Sequence, residues 1–132
     1  FKRGAEEVTP VEYPQTIVKS LAIGEPGDGN YALRKIREYG GYGESVDDRE
    51  TVEGIRLLAK TEGIFTEPAG GVAVAVLKKL VEDERVERDE KLVCFVTGNG
   101  LKAADVVLSV LPKPFTVKPE VRLLAPIVGQ VA

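Results

Sequence analysis

The chain has 132 residues, which is enough for one domain with a buried core. Hydrophobic residues make up 43% and charged residues 30% of the sequence, a composition that excludes a disordered or collagen-like chain. The formal net charge of -3 offers no basic surface for nucleic acid, and no apolar run reaches the roughly 18–20 residues that a transmembrane helix needs. We therefore expect a soluble protein with neither a nucleic-acid nor a membrane partner.

Three residue types narrow the chemistry further. The one cysteine, Cys94, lies in the apolar run Leu92–Val96, so we expect a reduced, buried thiol and a cytoplasmic protein. Because histidine is absent, we expect neither a His-based catalytic triad nor a metal site such as zinc. Methionine is also absent, so Phe1 is not a translation start, and we expect a processed chain or a piece of a longer one.

The first forty residues predict two short elements and then a helix. Residues Glu7–Glu12 read as a short strand. The segment Thr16–Leu21 reads as a short helix with its first residue as N-cap, and a glycine-rich loop follows it. Asp28 or Asn30 caps the next helix, which ends at the glycine pair that begins with Gly40.

The next segment predicts a short strand and an amphipathic helix. The strand covers Gly43–Val46, and the helix covers about residues 48–61. Asp47 is placed to cap this helix, with Glu50 at the capping-box position and Gly63 after the last turn. Both ends of the helix are therefore predicted from the sequence.

The sequence after residue 61 predicts a helix, a strand, a further helix and a tail. Pro68 suits the first turn of the helix Ala69–Val81, which is apolar nearly all round and so is expected to be buried on several sides. The apolar run Lys91–Thr97 is typical of a central parallel strand covered on both faces, and a helix over Leu101–Leu111 follows it, although a strand is possible there. The tail Pro112–Ala132 has four prolines and no helical period, and is expected to be an extended, surface-hugging or partly disordered arm. Helices alternating with three or four short strands indicate an α/β fold with a thin sheet.

Two turns are candidate ligand sites. In the turn Thr97-Gly98-Asn99-Gly100, glycines after a strand allow a ligand to approach the backbone, which makes Thr97 a candidate contact; a plain strand-to-helix turn is the alternative. In the segment Thr66–Gly71, small residues open a helix and Glu67 lies at the positive end of its dipole; a helix cap with tight packing is the alternative. The loop after Ser20–Gly24 is by itself only a loop.

Four segments, taken together and in their order along the chain, resemble a known enzyme family. They are SLAIGEPGDG (Ser20–Gly29), YALRKIREYGG (Tyr31–Gly41), LLAKTEGIFTEPAGG (Leu57–Gly71) and FVTGNGLK (Phe95–Lys102). Together they resemble the C-terminal part of threonine synthase, a pyridoxal-phosphate enzyme of the tryptophan-synthase β-like fold (fold type II). A segment like TEGIF-EPAG also occurs in threonine dehydratases of the same superfamily, whereas TGNGLK with SLAIG-P-GDG looks like the synthase.

The resemblance covers about residues 1–112 and implies an architecture for them. They would form the C-terminal portion of a large cofactor-binding domain, a partial three-layer α/β sandwich with a short, mostly parallel sheet and flanking helices. Residues 113–132 lie beyond the resemblance and are expected to form the extended C-terminal arm.

The resemblance also implies contacts with pyridoxal 5'-phosphate. The threonine of the TGNG-like turn, here Thr97, would hydrogen-bond the pyridine nitrogen, with Gly98 beside it. A hydroxyl partner leaves that nitrogen unprotonated and tempers the electron sink. The backbone of Ala22-Ile23-Gly24 would lie near the cofactor ring, and Glu67 would line the same cleft.

Other parts of the family's site have no match in this sequence. The Schiff-base lysine, the asparagine near the phenol oxygen and the phosphate-binding glycine loop would precede Phe1, and no lysine here has a matching context, Lys102 being the nearest. We therefore expect no catalytic residue in this chain and no activity from it alone.

The intact enzyme, a lyase, would convert O-phospho-L-homoserine and water into L-threonine and phosphate. Its partners would be the remainder of the parent chain and further copies in a homo-oligomer. Two alternatives stay open: a threonine or serine dehydratase of the same fold, and a stand-alone, non-catalytic binding module. Upstream sequence separates them, because a lysine and a glycine loop are required for catalysis.

Overall fold

The structure, a computed structural model, describes residues 1–108, 110–111 and 113–131. These residues contain five α-helices and three short 3-10 helices. The α-helices are α1 (Gly29–Glu38), α2 (Asp48–Glu62), α3 (Pro68–Glu82), α4 (Ala104–Leu108) and α5 (Ala125–Val131). The 3-10 helices span Lys19–Leu21, Gly100–Ala103 and Val121–Leu123. Within these ranges, no helix is both long and apolar enough to cross a membrane.

The two ends of α2 form as the sequence predicts. The Asp47 carboxylate accepts a hydrogen bond from the Glu50 backbone N–H at 2.7 Å, and the Glu50 carboxylate accepts one from the Asp47 backbone N–H at 2.7 Å. This reciprocal pair is a capping box, which satisfies two N–H groups that have no partner inside the helix. At the other end, Gly63 has φ of 68°, a left-handed conformation that glycine adopts without strain. The predicted helix 48–61 is confirmed.

Helices α2 and α3 pack closely because glycines lie where they cross. An ideal Cβ built on Gly54 would lie 2.3 Å from the Gly71 carbonyl oxygen, and one built on Gly71 would lie 2.6 Å from the Thr51 carbonyl oxygen. Any larger residue would force the helices apart. The core of the molecule lies beside this crossing, where Ile55 is 1% exposed and Val74 is 9% exposed. The predicted helix Ala69–Val81 is confirmed and is one residue longer at each end.

The N-terminal segment is tied to the start of α2. The Thr16 hydroxyl donates to Asp48 Oδ1 at 2.5 Å, and the Ile17 backbone N–H donates to Asp48 Oδ2 at 3.2 Å. These contacts replace the role predicted for Thr16 as an N-cap: only a 3-10 helix forms, over Lys19–Leu21, and no side chain caps it. The predicted helix after the glycine-rich loop is confirmed as α1, and Gly40 after it is in the left-handed conformation. The predicted cap is wrong: Asp28 is the N-cap residue but its side chain makes no cap hydrogen bond, and Asn30 Oδ1 accepts from the Val8 backbone N–H instead.

None of the predicted strands forms in the part of the chain that the structure describes. Among the described residues, the one β-bridge is an isolated antiparallel pair, Thr66 with Asn99. Three segments are irregular where strands were predicted: Glu7–Glu12, Gly43–Val46 and Lys91–Thr97. The mostly parallel sheet, the central layer of the predicted sandwich, is therefore not observed. The physical reason is that a strand needs a series of backbone hydrogen bonds to a neighbour. In Glu7–Glu12 only the Val11 N–H makes one, to the Gly24 carbonyl, and the other two segments make none to the described residues.

The apolar run Leu92–Val96 shows this most clearly. The prediction that it is covered on both faces is wrong, since Val93 is 80% exposed and Phe95 is 78% exposed. Cys94 is likewise exposed, so the predicted burial of its thiol is wrong as well. An apolar pattern indicates which residues favour burial, but it does not supply the surface that buries them.

The C-terminal region differs from the prediction in two places. The predicted helix Leu101–Leu111 is shorter, beginning with the 3-10 helix Gly100–Ala103 and continuing as α4. The tail contains a 3-10 helix and α5, so the prediction of an extended arm without helix is wrong for residues 121–131. Pro126 lies in the first turn of α5, where a missing N–H costs no helical hydrogen bond. Pro112 and Ala132, the ends of the predicted arm, lie outside the described residues.

Candidate functional site

The turn Thr97–Gly100 lies against the segment that leads into α3. The Gly100 backbone N–H donates to the Phe65 carbonyl at 2.9 Å, and the Glu67 backbone N–H donates to the Gly98 carbonyl at 3.0 Å. These two hydrogen bonds flank the Thr66–Asn99 bridge. The structure therefore joins the two candidate ligand segments, which are thirty residues apart in the sequence, into one site.

Gly98 lies directly under the side chain of Glu67. An ideal Cβ on Gly98 would lie 1.9 Å from Glu67 Oε1, so no larger residue fits while the carboxylate holds this position. The Glu67 side chain is 18% exposed, and its Oε2 lies 3.4 Å from Lys102 Nζ. The site thus contains a largely shielded carboxylate with an exposed cation beside it.

The residue that opens α3 is held by the first turn of that helix. Glu67 is the N-cap residue, and its carbonyl accepts hydrogen bonds from the N–H groups of Gly70 at 3.0 Å and Gly71 at 3.2 Å. Its side chain makes no cap hydrogen bond, so the carboxylate is directed to the turn rather than to the helix end. Pro68 at the first helical position fixes the direction in which the chain enters α3.

Thr97 presents a hydroxyl at the edge of this site. The residue is exposed, and its side chain has no hydrogen-bond partner among the residues that the structure describes. Its neighbour Gly98 has no side chain that could cover it. Thr97 is therefore placed to donate or accept a hydrogen bond to a bound molecule.

The third predicted segment, Ala22-Ile23-Gly24, makes its hydrogen bonds away from the turn Thr97–Gly100. The Gly24 carbonyl accepts from the Val11 backbone N–H at 2.9 Å, and an ideal Cβ on Gly24 would lie 2.1 Å from the Val11 oxygen. Ile23 is 60% exposed. No hydrogen bond or ion pair found in the described parts of the chain links this segment to Thr97, Gly98 or Glu67.

An apolar groove of about 970 Å³ lies beside the site and is separate from it. It runs between the faces of α2 and α3 and the residues of α4. Phe65 and Leu101 contribute to its lining, but neither Thr97 nor Glu67 does. The polar groups of the candidate site therefore face a different space from the groove.

Sequence reasoning missed Thr66 and its relation to Gly70. Thr66 is 1% exposed and its hydroxyl donates to the Gly98 carbonyl at 3.1 Å. An ideal Cβ on Gly70 would lie 2.0 Å from Thr66 Oγ1, so the glycine makes room for the threonine. The small residue four positions after Thr66 was a signal, but only the structure shows that the hydroxyl reaches the distant turn.

Comparison with known proteins identifies the relatives of the chain. A family model described as "Pyridoxal-phosphate dependent enzyme" matches residues 1–98. The threonine synthase of Methanocaldococcus jannaschii is 40% identical over 124 residues, which cover 94% of this chain and 31% of that protein. The threonine synthase of Methanosarcina acetivorans is 43% identical over 117 residues, covering 89% of this chain and 29% of that protein. The chain thus spans less than a third of the length of these two relatives.

Proposed function

Because this chain belongs to the pyridoxal-phosphate dependent enzyme family, we propose that it is the C-terminal part of a threonine synthase and forms one wall of its cofactor site. The parent enzyme would convert O-phospho-L-homoserine and water into L-threonine and phosphate. The names of the relatives support the synthase over a dehydratase of the same fold. The observation that carries the proposal is the Thr97 hydroxyl, exposed and without a partner among the described residues, on a turn that two backbone hydrogen bonds fix.

The residues present fit one edge of pyridoxal phosphate. Thr97 would hydrogen-bond the pyridine nitrogen, with Gly98 beside it. When bound, the cofactor supplies an electron sink, and a hydroxyl partner rather than a carboxylate would keep its ring nitrogen unprotonated. Glu67 would line the same cleft, since its carboxylate lies against Gly98, the residue that follows Thr97.

Two further assignments rest on the sequence resemblance. We propose that the backbone of Ala22-Ile23-Gly24 lies near the cofactor ring in the intact protein. We also propose that Lys91–Thr97 joins a mostly parallel sheet there, since its exposed apolar side chains and unpaired backbone match what a strand presents to neighbours. A homo-oligomer and a cytoplasmic location stay predictions.

Thr97→Val in the full-length protein tests the proposal. Valine keeps the shape of threonine but leaves the ring nitrogen without its partner. The cost of such a lost hydrogen bond is about 1–3 kcal/mol, so we expect the affinity for pyridoxal phosphate to fall about fivefold to 150-fold. Threonine formation should fall as well. Thr97→Ser, which keeps the hydroxyl, is the matched control and should retain most of the affinity.

The measurement is an absorbance titration with pyridoxal phosphate, together with an assay of threonine release from O-phospho-L-homoserine. Unchanged affinity and activity in Thr97→Val would show that Thr97 does not have this role. A second arm uses the 132-residue chain alone, which we expect to release no threonine because it lacks a matching lysine. Threonine release by this chain alone would favour a different assignment of the catalytic residues.

A further inference from the structure

We propose that Thr66 is a positioning residue whose buried hydroxyl, by donating to the Gly98 carbonyl, holds the Thr97 hydroxyl in place for the cofactor. This inference rests on the proposed function of Thr97. Thr66 itself is 1% exposed and lies behind the turn, so it would act through Thr97 rather than by touching a ligand.

The Gly98 carbonyl accepts two hydrogen bonds from the same short segment. The Glu67 backbone N–H donates to it at 3.0 Å, and the Thr66 hydroxyl donates at 3.1 Å. The hydroxyl has one proton, and its other nearby acceptor, the Glu67 carbonyl, is farther away at 3.3 Å. That second carbonyl already accepts two N–H groups at the start of α3. The geometry therefore favours donation to Gly98.

The turn needs this second hydrogen bond because its central residue is glycine. The Glu67 carboxylate occupies the place of a Cβ on Gly98, so only glycine fits there. Glycine is also the residue with the greatest backbone freedom, and Thr97 is bonded directly to it. Two donors on the Gly98 carbonyl restrict that freedom without adding a side chain.

Thr66 is in turn held by a rigid element. Its side chain fits against Gly70 in the first turn of α3, where an ideal Cβ would lie 2.0 Å from Thr66 Oγ1 and 3.2 Å from Cγ2. A β-branched side chain also has few rotamers available. The hydrogen bond from this hydroxyl thus fixes the turn that carries Thr97 relative to α3, a helix of 15 residues.

A double-mutant cycle in the full-length protein tests this inference. Thr66→Val keeps the branched shape and removes the hydroxyl. We expect it to weaken pyridoxal-phosphate affinity about twofold to tenfold, the range that corresponds to one neutral hydrogen bond. In the Thr97→Val background, Thr66→Val should have almost no further effect, because a residue that acts through Thr97 cannot act once the Thr97 hydroxyl is gone. Thr66→Ser should restore the affinity of the unmodified protein.

Thr51→Val is the matched control. Thr51 is also 1% exposed, and its hydroxyl donates to the Asp47 carbonyl at 2.8 Å inside α2, away from the turn. We expect this variant to lower thermal stability and to leave cofactor affinity unchanged. If Thr66→Val does not fold, Thr66→Ser and Thr66→Ala are compared instead, since both lack the methyl group and differ only in the hydroxyl.

The outcomes separate the two proposals. If Thr97→Val has no effect on affinity, both the proposed role of Thr97 and the positioning role of Thr66 are overturned. If Thr97→Val weakens binding but removal of the Thr66 hydroxyl does nothing, or adds its full effect in the Thr97→Val background, only the positioning role is overturned. A loss of affinity in Thr51→Val equal to that in Thr66→Val would also overturn it, because the effect would then be one of general stability.

Discussion

The α2–α3 pair and the segment Leu92–Val96 are both rich in apolar residues, yet the first is packed and the second is exposed. Helix hydrogen bonds join residues four positions apart, so α2 and α3 contain their own hydrogen-bond partners, and each buries part of its apolar face against the other. A strand takes its hydrogen bonds from a neighbouring strand. The difference teaches that an apolar pattern produces a buried element only when the segment that covers it is also present.

The largest effect is expected from a substitution that forces α2 and α3 apart. Gly71→Ala would place a methyl group 2.5 Å from Ile55 Cγ1 and 2.6 Å from the Thr51 carbonyl oxygen. The backbone oxygen has little room to move, so we expect a loss of at least about 1–3 kcal/mol of unfolding free energy, the cost of overpacking a core. Urea unfolding of the chain, followed by circular dichroism, measures this loss.

Gly27→Ala is the control for this prediction. An ideal Cβ on Gly27 meets nothing within 4 Å, and this glycine is not among those with a positive φ. We expect its unfolding free energy to stay close to that of the unmodified chain. Equal effects of the two substitutions would mean that the helices do not cross at Gly71.

A second prediction concerns the exposed apolar segment. The exposed run Leu92–Val96 has apolar side chains and unpaired backbone groups, so we expect the isolated chain to self-associate through it at micromolar concentration, by edge pairing or exchange of the C-terminal arm. The double variant Val93→Lys with Phe95→Lys should shift the chain towards monomer and leave its helical content unchanged. Sedimentation equilibrium measures the shift.

Tyr13→Lys serves as the control for association. Tyr13 is 76% exposed, about as much as the two substituted residues, but it lies outside the apolar run. It should leave the association constant unchanged. A monomeric unmodified chain that binds no hydrophobic dye would show that the exposed run needs no cover and would favour the stand-alone binding module.

The same contrast explains how much of the fold the sequence predicts. The capping box at Asp47 and Glu50 and the left-handed Gly63 act within one helix, so α2 was predicted almost to the residue. The strand Lys91–Thr97 is predicted from its continuous apolar run, and its partners are not among the described residues. Helix α5 was missed because the prolines of the tail outweighed its weak apolar pattern.

The candidate site divides in the same way. The turn Thr97–Gly100 and the segment around Glu67 were each visible as glycine-containing turns, and the structure brings them together. The role of Thr66 is not visible in the sequence, because the contact that links it to the turn is with Gly98, 32 positions away. Sequence patterns report local geometry well, whereas a single hydrogen bond between distant segments leaves no periodic signal.

The smallest predicted effect concerns the ion pair that links α2 to α3. Glu50 Oε1 lies 2.8 Å from Lys79 Nζ, and both side chains are about one-third exposed. The hydrogen bond from Lys79, helped by that from the Asp47 backbone, lowers the pKa of the Glu50 carboxyl. The stabilisation is therefore complete above the pKa of an unfolded glutamate, about 4.3, and is lost as the pH falls through the lower folded value.

Glu50→Gln tests this link, because glutamine still completes a capping box but carries no charge for Lys79. We expect the variant to be slightly less stable than the unmodified chain near neutral pH, with the difference shrinking as the pH falls below about 4.3, the ordinary glutamate pKa. Glu53→Gln is the control, since its ion pair with Arg49 stays within α2 and does not join the helices. Thermal unfolding across this pH range measures the difference. The difference in thermal stability between Glu50→Gln and the unmodified chain could instead stay constant down to the most acidic pH. That result would show that the substitution does not act by removing the Lys79 ion pair.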